Sequence, residues 1–210
     1  MRPRAFAAWV LMIVGVAVLQ SMVHLVVTLG ERDFHSRFDL DRSNGAPDLV
    51  STLALGCATA GAVALTRWER HPRRVASGCL AVVLGALTVA DLLHDGAHPS
   101  SEVGRLVIAL VTATAGLLVT VGLEAAGRTR ATLAAAGIAL ACSFLVSGLD
   151  RFDIWFERMR GDPVAEYQIV AKEGLELVGW SLVALALWDE SLRRRRRARL
   201  VARPEAVVSV

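Results

Sequence analysis

The sequence predicts an all-α fold, a polytopic integral membrane protein built as a bundle of six transmembrane helices with both termini on the cytoplasmic side (N-in/C-in). Three observations carry that expectation. More than half of the 210 residues are hydrophobic (54%), and mean hydropathy is positive, which is membrane-like composition. The apolar residues gather into runs near the length a helix needs to cross a bilayer core, about 20 residues at roughly 1.5 Å each. Arginine is concentrated in every second link between those runs, the pattern that orients membrane proteins.

The six predicted spans are Ala5–Leu29, Leu49–Thr66, Val75–His94, Val103–Ala126, Ala131–Leu149 and about Val164–Trp188. They make one transmembrane domain over residues 1–192, with 193–210 as a basic cytoplasmic tail. Arg2 and Arg4 precede the first span, and Arg67, Arg70, Arg73 and Arg74 fill the link between the second and third. Arg128 and Arg130 join the fourth and fifth, and the Arg193–Arg199 cluster follows the sixth. With six spans all four segments fall on one side, the cytoplasm. The opposite links, Glu31–Asp48, Asp95–Glu102 and Arg151–Pro163, balance or exceed their arginines with acids.

Span one starts apolar and turns polar late. Gln20, Ser21 and His24 share a face, since residues three and four apart are helix neighbours. Its apolar run outlasts the 7–15 residues of a signal-peptide core, so it is expected as an uncleaved span. The following link carries Phe34, Phe38 and Leu40 among charges, the pattern of an interfacial helix. Span two is lined with small residues, Gly56, Ala60 and Gly61, which allow close helix approach. Span three repeats the pattern of span one: apolar to Leu87, then Thr88, Asp91 and His94 at successive i, i+3 steps. Span four carries Arg105 at its outer start and Glu124 at its inner end, both within snorkelling reach of water.

Span five offers Ser143, Ser147 and Asp150, and its stripe continues to Asp153 and Glu157 beside Phe152, Trp155 and Phe156. Span six is the anomaly. Its wholly apolar part, Leu177 to Trp188, is too short to cross a bilayer, so the span must reach back through Glu176 and Glu173. An ionised carboxylate there costs about 2.5–3.5 kcal/mol on insertion scales. Trp188 then marks an interface before Asp189 and the arginines.

With this topology His24, Asp91, His94, Asp150, Glu173 and Glu176 all fall in the outer halves of spans one, three, five and six. They define an outward-opening polar cup, with Ser21, Ser147, Asp153, Lys172 and Arg105 around it and spans two and four as packing partners. Three functions fit. Mixed His and carboxylate ligands suit a divalent metal such as Zn, Fe or Mn; Asp-x-x-His spacing puts two ligands on one metal, and a metal-bound water would give hydrolase-like chemistry at the outer leaflet. Buried carboxylates also serve proton- or cation-coupled transport, although the inner halves of these spans offer no matching path. The third is an accessory or scaffold protein whose polar groups form a structural hydrogen-bond network.

Other classes are excluded. There is no P-loop, no G-x-G-x-x-G and no C-x-x-C; Cys57, Cys79 and Cys142 sit in separate spans and read as small buried hydrophobes. Lys172 is the only lysine, so the arginine excess reflects codon bias as much as function, and nucleic acid is not an expected partner. The expected partners are the lipid bilayer and a second copy of the chain or another membrane protein. The expected location is the cell membrane, with the cup facing outward.

Overall fold

The computed structural model describes residues 1–30, 46–69, 73–92, 127–152 and 163–201. The predicted fourth span lies outside the described residues, as do His94, Arg105, Asp153, most of the outer links and residues 202–210. Five helices form the described fold: α1 (Pro3–Gly30), α2 (Ala46–Thr66), α3 (Arg73–Leu92), α4 (Gly127–Phe152) and α5 (Pro163–Val201). No strand occurs among the described residues. Among the described residues two helical stretches, Pro3–Val26 and Leu49–Thr66, are by length and composition able to cross a membrane.

The helix expected as span six is the hub. It packs against α1, α2 and α4, while α3 packs on α2. Its sequence suits that place: Leu177, Leu182, Ala184, Leu185, Ala186 and Leu187 are all buried, so its inner part is apolar around its whole circumference, as a helix enclosed by others must be. At 39 residues it is also the longest helix, about 58 Å at 1.5 Å per residue. A bilayer core is about 30 Å thick. The helix passes Leu192 without a break, so Arg193 and Arg194 belong to the bundle rather than to a separate tail.

Small residues set the helix spacing. A Cβ placed on Gly179 would stand 2.6 Å from Leu140 Cγ and 3.4 Å from the Ala136 carbonyl oxygen, so α4 crosses α5 at a point only glycine admits. On the opposite side a Cβ on Gly61 would meet Leu187 Cβ at 3.1 Å and Trp188 Cδ1 at 3.2 Å. The same crossing is tied by the Trp188 indole N–H, which donates to the Cys57 carbonyl at 3.0 Å. Between α2 and α3 the hydroxyls of Thr59 and Thr88 meet at 3.1 Å, one donating to the other, while the hydroxyl that accepts donates to a carbonyl of its own helix, Leu55 or Leu84. The largest apolar core gathers where α2, α3 and α5 converge, around Leu55, Leu65, Leu80, Leu84 and Leu187.

The outer surface is the reverse of a water-soluble bundle. Leu11, Leu19, Met22 and Val26 on α1, Leu53 on α2, Val82 on α3 and Ile138 and Leu145 on α4 are all exposed. The buried groups, by contrast, include Asp189, Glu190, Glu69, His24 and several hydroxyls.

Candidate functional site

Two polar layers lie in the bundle, separated along α5 by the apolar stretch Leu177–Trp188. The outer layer contains the described part of the predicted cup. Ser21 on α1 faces α5 where it carries Gly174: a Cβ on that glycine would be 3.5 Å from Ser21 Oγ. Ser21 donates to its own Ala17 carbonyl at 2.8 Å. One turn further along α1, His24 is completely buried. From the other side Ser143 on α4 donates to the Lys172 carbonyl at 3.0 Å. Lys172 Nζ reaches Glu173 Oε1 at 2.8 Å, and the pair is partly exposed, 40% and 20% of the two side chains. Glu176 is half-buried, and neither it nor His24 is without a partner.

At this level α1 and α4 each pack on α5, Ser21 at Gly174 and Ser143 at Lys172, with His24 one turn beyond Ser21. Asp91 lies in the last turn of α3, and α3 has α2 as its main partner rather than α1, α4 or α5. The reason is steric: Gly85, Thr88, Thr59 and Gly56 let α2 and α3 close on each other. The side chains of Asp91, Asp150 and Ser147 lie outside the described residues. Among the described residues, no three His, Cys, Asp or Glu side chains gather into a metal-binding group. Beside the layer, an open apolar groove of about 350 Å³ runs between α1 and α5, lined by Ala17, Ser21, Leu25, Val170, Gly174 and Val178 among others.

The inner layer was not singled out from the sequence. It joins the chain's start, the α2–α3 link, the start of α4 and the far part of α5. Asp189, wholly buried, pairs with the Met1 ammonium and accepts from Arg128 Nη2 at 2.7 Å. Arg128 also donates to the Met1 carbonyl at 3.2 Å and lies 4.6 Å above the centre of the Phe6 ring, a cation–π arrangement. Glu190 accepts from Arg193, from Arg194 Nε at 2.9 Å and from Thr129 Oγ1 at 3.4 Å, and Arg193 also donates to Thr129. Arg194 Nη1 continues to Glu69 Oε2 at 3.3 Å.

Electrostatics account for this layer. Burial pulls the Asp189 carboxyl upward, but hydrogen bonds and charge from the Met1 ammonium and Arg128 outweigh it and hold Asp189 below its ordinary value. Three carboxylates (Asp189, Glu190, Glu69) thus face three guanidinium groups and one ammonium. Glu69 Oε1, Arg193 Nε and Arg194 Nη2 are buried with no hydrogen-bond partner, the kind of residual polarity an ordered water satisfies. A usable sequence signal existed: Asp189 and Glu190 precede Arg193 and Arg194 at the i, i+3 and i, i+4 spacings of helical ion pairs.

All four arginine-bearing segments assigned to one side by charge converge at this end of the bundle. Comparison with protein-family models, with curated proteins and with solved structures finds no match for this chain.

Proposed function

We propose that the chain is a multi-pass membrane protein of the accessory or scaffold kind, in which polar groups tie helices together instead of converging on a substrate. The observation that carries this reading is the inverted distribution of its surface: exposed Leu11, Leu19, Met22, Val82 and Leu145 outside, buried Asp189, Glu190 and Glu69 within. In lipid the exposed apolar faces cost nothing, and interhelical hydrogen bonds and close packing of small residues hold such bundles. In the outer layer Ser21 donates to the Ala17 carbonyl, Ser143 to the Lys172 carbonyl across to α5, and Lys172 to Glu173, bonds that tie a helix to itself or to its neighbour.

Membrane insertion is tested by alkaline extraction of membranes and by reporter fusions. The chain stays in the pellet; alkaline-phosphatase fusions at Arg70 and after Val201 are silent, and one in the Asp95–Glu102 link is active. Release by alkali, or opposite behaviour at Arg70 and Val201, contradicts the reading.

A second reading rests on His24, an imidazole wholly buried on α1 one turn beyond Ser21, which itself lies against Gly174 of α5. In this reading His24, Asp91, His94, Asp150, Glu173 and Glu176 hold a Zn, Fe or Mn ion at the outer end. Elemental analysis of detergent-purified protein separates the two: stoichiometric metal, lost in Glu176→Gln or His94→Ala, supports the ion, whereas stable metal-free protein removes it.

A further inference from the structure

At the inner end the acids are consumed internally. Glu69, Asp189 and Glu190 are at most 8% exposed and each is paired with a cation of the buried layer. What this end shows to its surroundings, among the described side chains, is therefore of one sign. Arg2 and Arg4 at the start of α1, Arg67 after α2, Arg74 in the first turn of α3, and Arg130 at the start of α4 are exposed. Arg195, Arg196, Arg197 and Arg199 are exposed on the last turns of α5, beyond the buried ion pairs. These arginines come from every segment that reaches this end, so they surround it instead of lining one helix. Trp68 is exposed among them, and Trp188 is exposed a turn nearer the apolar part of the bundle, where aromatic residues settle at a membrane interface.

We propose that this arginine collar is a binding surface for anionic phospholipids, whose phosphate headgroups pair with guanidinium groups while their acyl chains lie against the exposed apolar faces of α1, α2 and α4. The inference rests on the membrane reading and adds the partner to it. Guanidinium forks match phosphate oxygens in bidentate geometry, and cations beside an anionic leaflet gain attraction that fades within a Debye length. The collar's position decides for lipid over nucleic acid: the cations border an apolar belt, so one molecule carrying both an anion and a hydrocarbon chain satisfies both surfaces. An anion without a chain would leave the belt uncovered.

The test uses the full chain purified in a neutral detergent and titrated with phosphatidylglycerol or phosphatidylcholine, reading retained lipid and thermal midpoint. The comparison variant carries Arg195, Arg196, Arg197 and Arg199 all changed to Gln, positions outside the buried ion pairs and compatible with the fold. Phosphatidylglycerol is expected to bind the wild type on the order of tenfold or more tightly than phosphatidylcholine. It raises the midpoint, the effect weakens with added NaCl, and the variant loses most of it. Equal response to the two lipids, or an unaltered preference in the variant, overturns the proposal. So does an equal midpoint shift from inorganic phosphate alone, or tighter retention of a poly(U) RNA than of the lipid. Alkaline extraction of the same wild-type membranes keeps the two failures apart. Protein released by alkali sinks the membrane reading itself; protein held in the pellet without a lipid preference sinks only the collar.

Discussion

The two polar layers of this bundle contrast in how they were built and in what they can do. The outer layer holds groups spaced at intervals on three helices: Ser21, Lys172 and Glu173 half-buried, Ser143 and His24 buried. The inner layer is continuous. Asp189 with Arg128 and Met1, and Glu190 with Thr129, Arg193, Arg194 and Glu69, form two hydrogen-bonded groups that the Arg193–Asp189 ion pair joins at 3.9 Å, and they link residues more than a hundred positions apart. Removing Glu173 from the outer layer leaves a partly exposed lysine that water can reach. Removing a member of the inner layer strands a buried charge. The lesson is that the layer with the more conspicuous residues in the sequence is not the layer that ties the helices together.

That contrast can be broken by substitution. Asp189→Asn leaves Arg128 without its carboxylate; losing one partner of a buried pair costs 3–5 kcal/mol, reduced here to about 2 kcal/mol because Arg128 is 32% exposed. Urea or thermal unfolding in detergent reads the loss. Next in size is the crossing of α4 and α5. Gly179→Ala drives a methyl into Leu140 and should cost about 1–3 kcal/mol, as overpacking does, with the backbone of Ala136 preventing an easy shift. Glu173→Gln belongs lower, at under about 1 kcal/mol, since its partner is a partly exposed lysine. Smallest is the hydroxyl pair of α2 and α3: a Thr59→Val, Thr88→Val double-mutant cycle should give a coupling of about 0.6 kcal/mol, because both hydroxyls keep helix carbonyls as alternatives.

The pH dependence separates the layers as well. Asp189 is held below its ordinary value in the folded state, so its contribution is present in full above the unfolded value, about 3.9, and is lost as pH falls through the folded value. Wild-type stability should therefore fall on acidification below about pH 4. Asp189→Asn should show a shallower acid limb, measured as the unfolding midpoint from pH 6 downwards.

Much of the fold was legible in the sequence. Hydrophobic run length placed all five described helices, and arginine distribution brought together the segments that do meet at one end. Helix ends were less legible: α4 starts at Gly127 and α5 continues to Val201, because ion pairs and packing carry helices past the point where hydropathy stops. The inner layer escaped for a related reason. The sequence sets Asp189 after the interfacial Trp188 and Arg193–Arg199 in a basic cytoplasmic segment; a one-dimensional pattern shows that charges are near in sequence but not that Arg128 and Glu69 arrive beside them. The α3 side of the expected cup, Asp91 and His94, falls outside the described side chains. What the structure adds there is the packing of α3 on α2 through Thr59, Thr88 and two glycines, a fit of small side chains that a count of charged residues does not reveal.

The central claim is that the buried inner layer, and not the carboxylates of the outer one, holds the helices together. The most direct measurement is the unfolding free energy of Asp189→Asn beside Glu173→Gln, in the same detergent at neutral pH. The predicted result is a loss of about 2 kcal/mol for the first and under about 1 kcal/mol for the second. A larger loss in Glu173→Gln, with Asp189→Asn close to wild type, would contradict it.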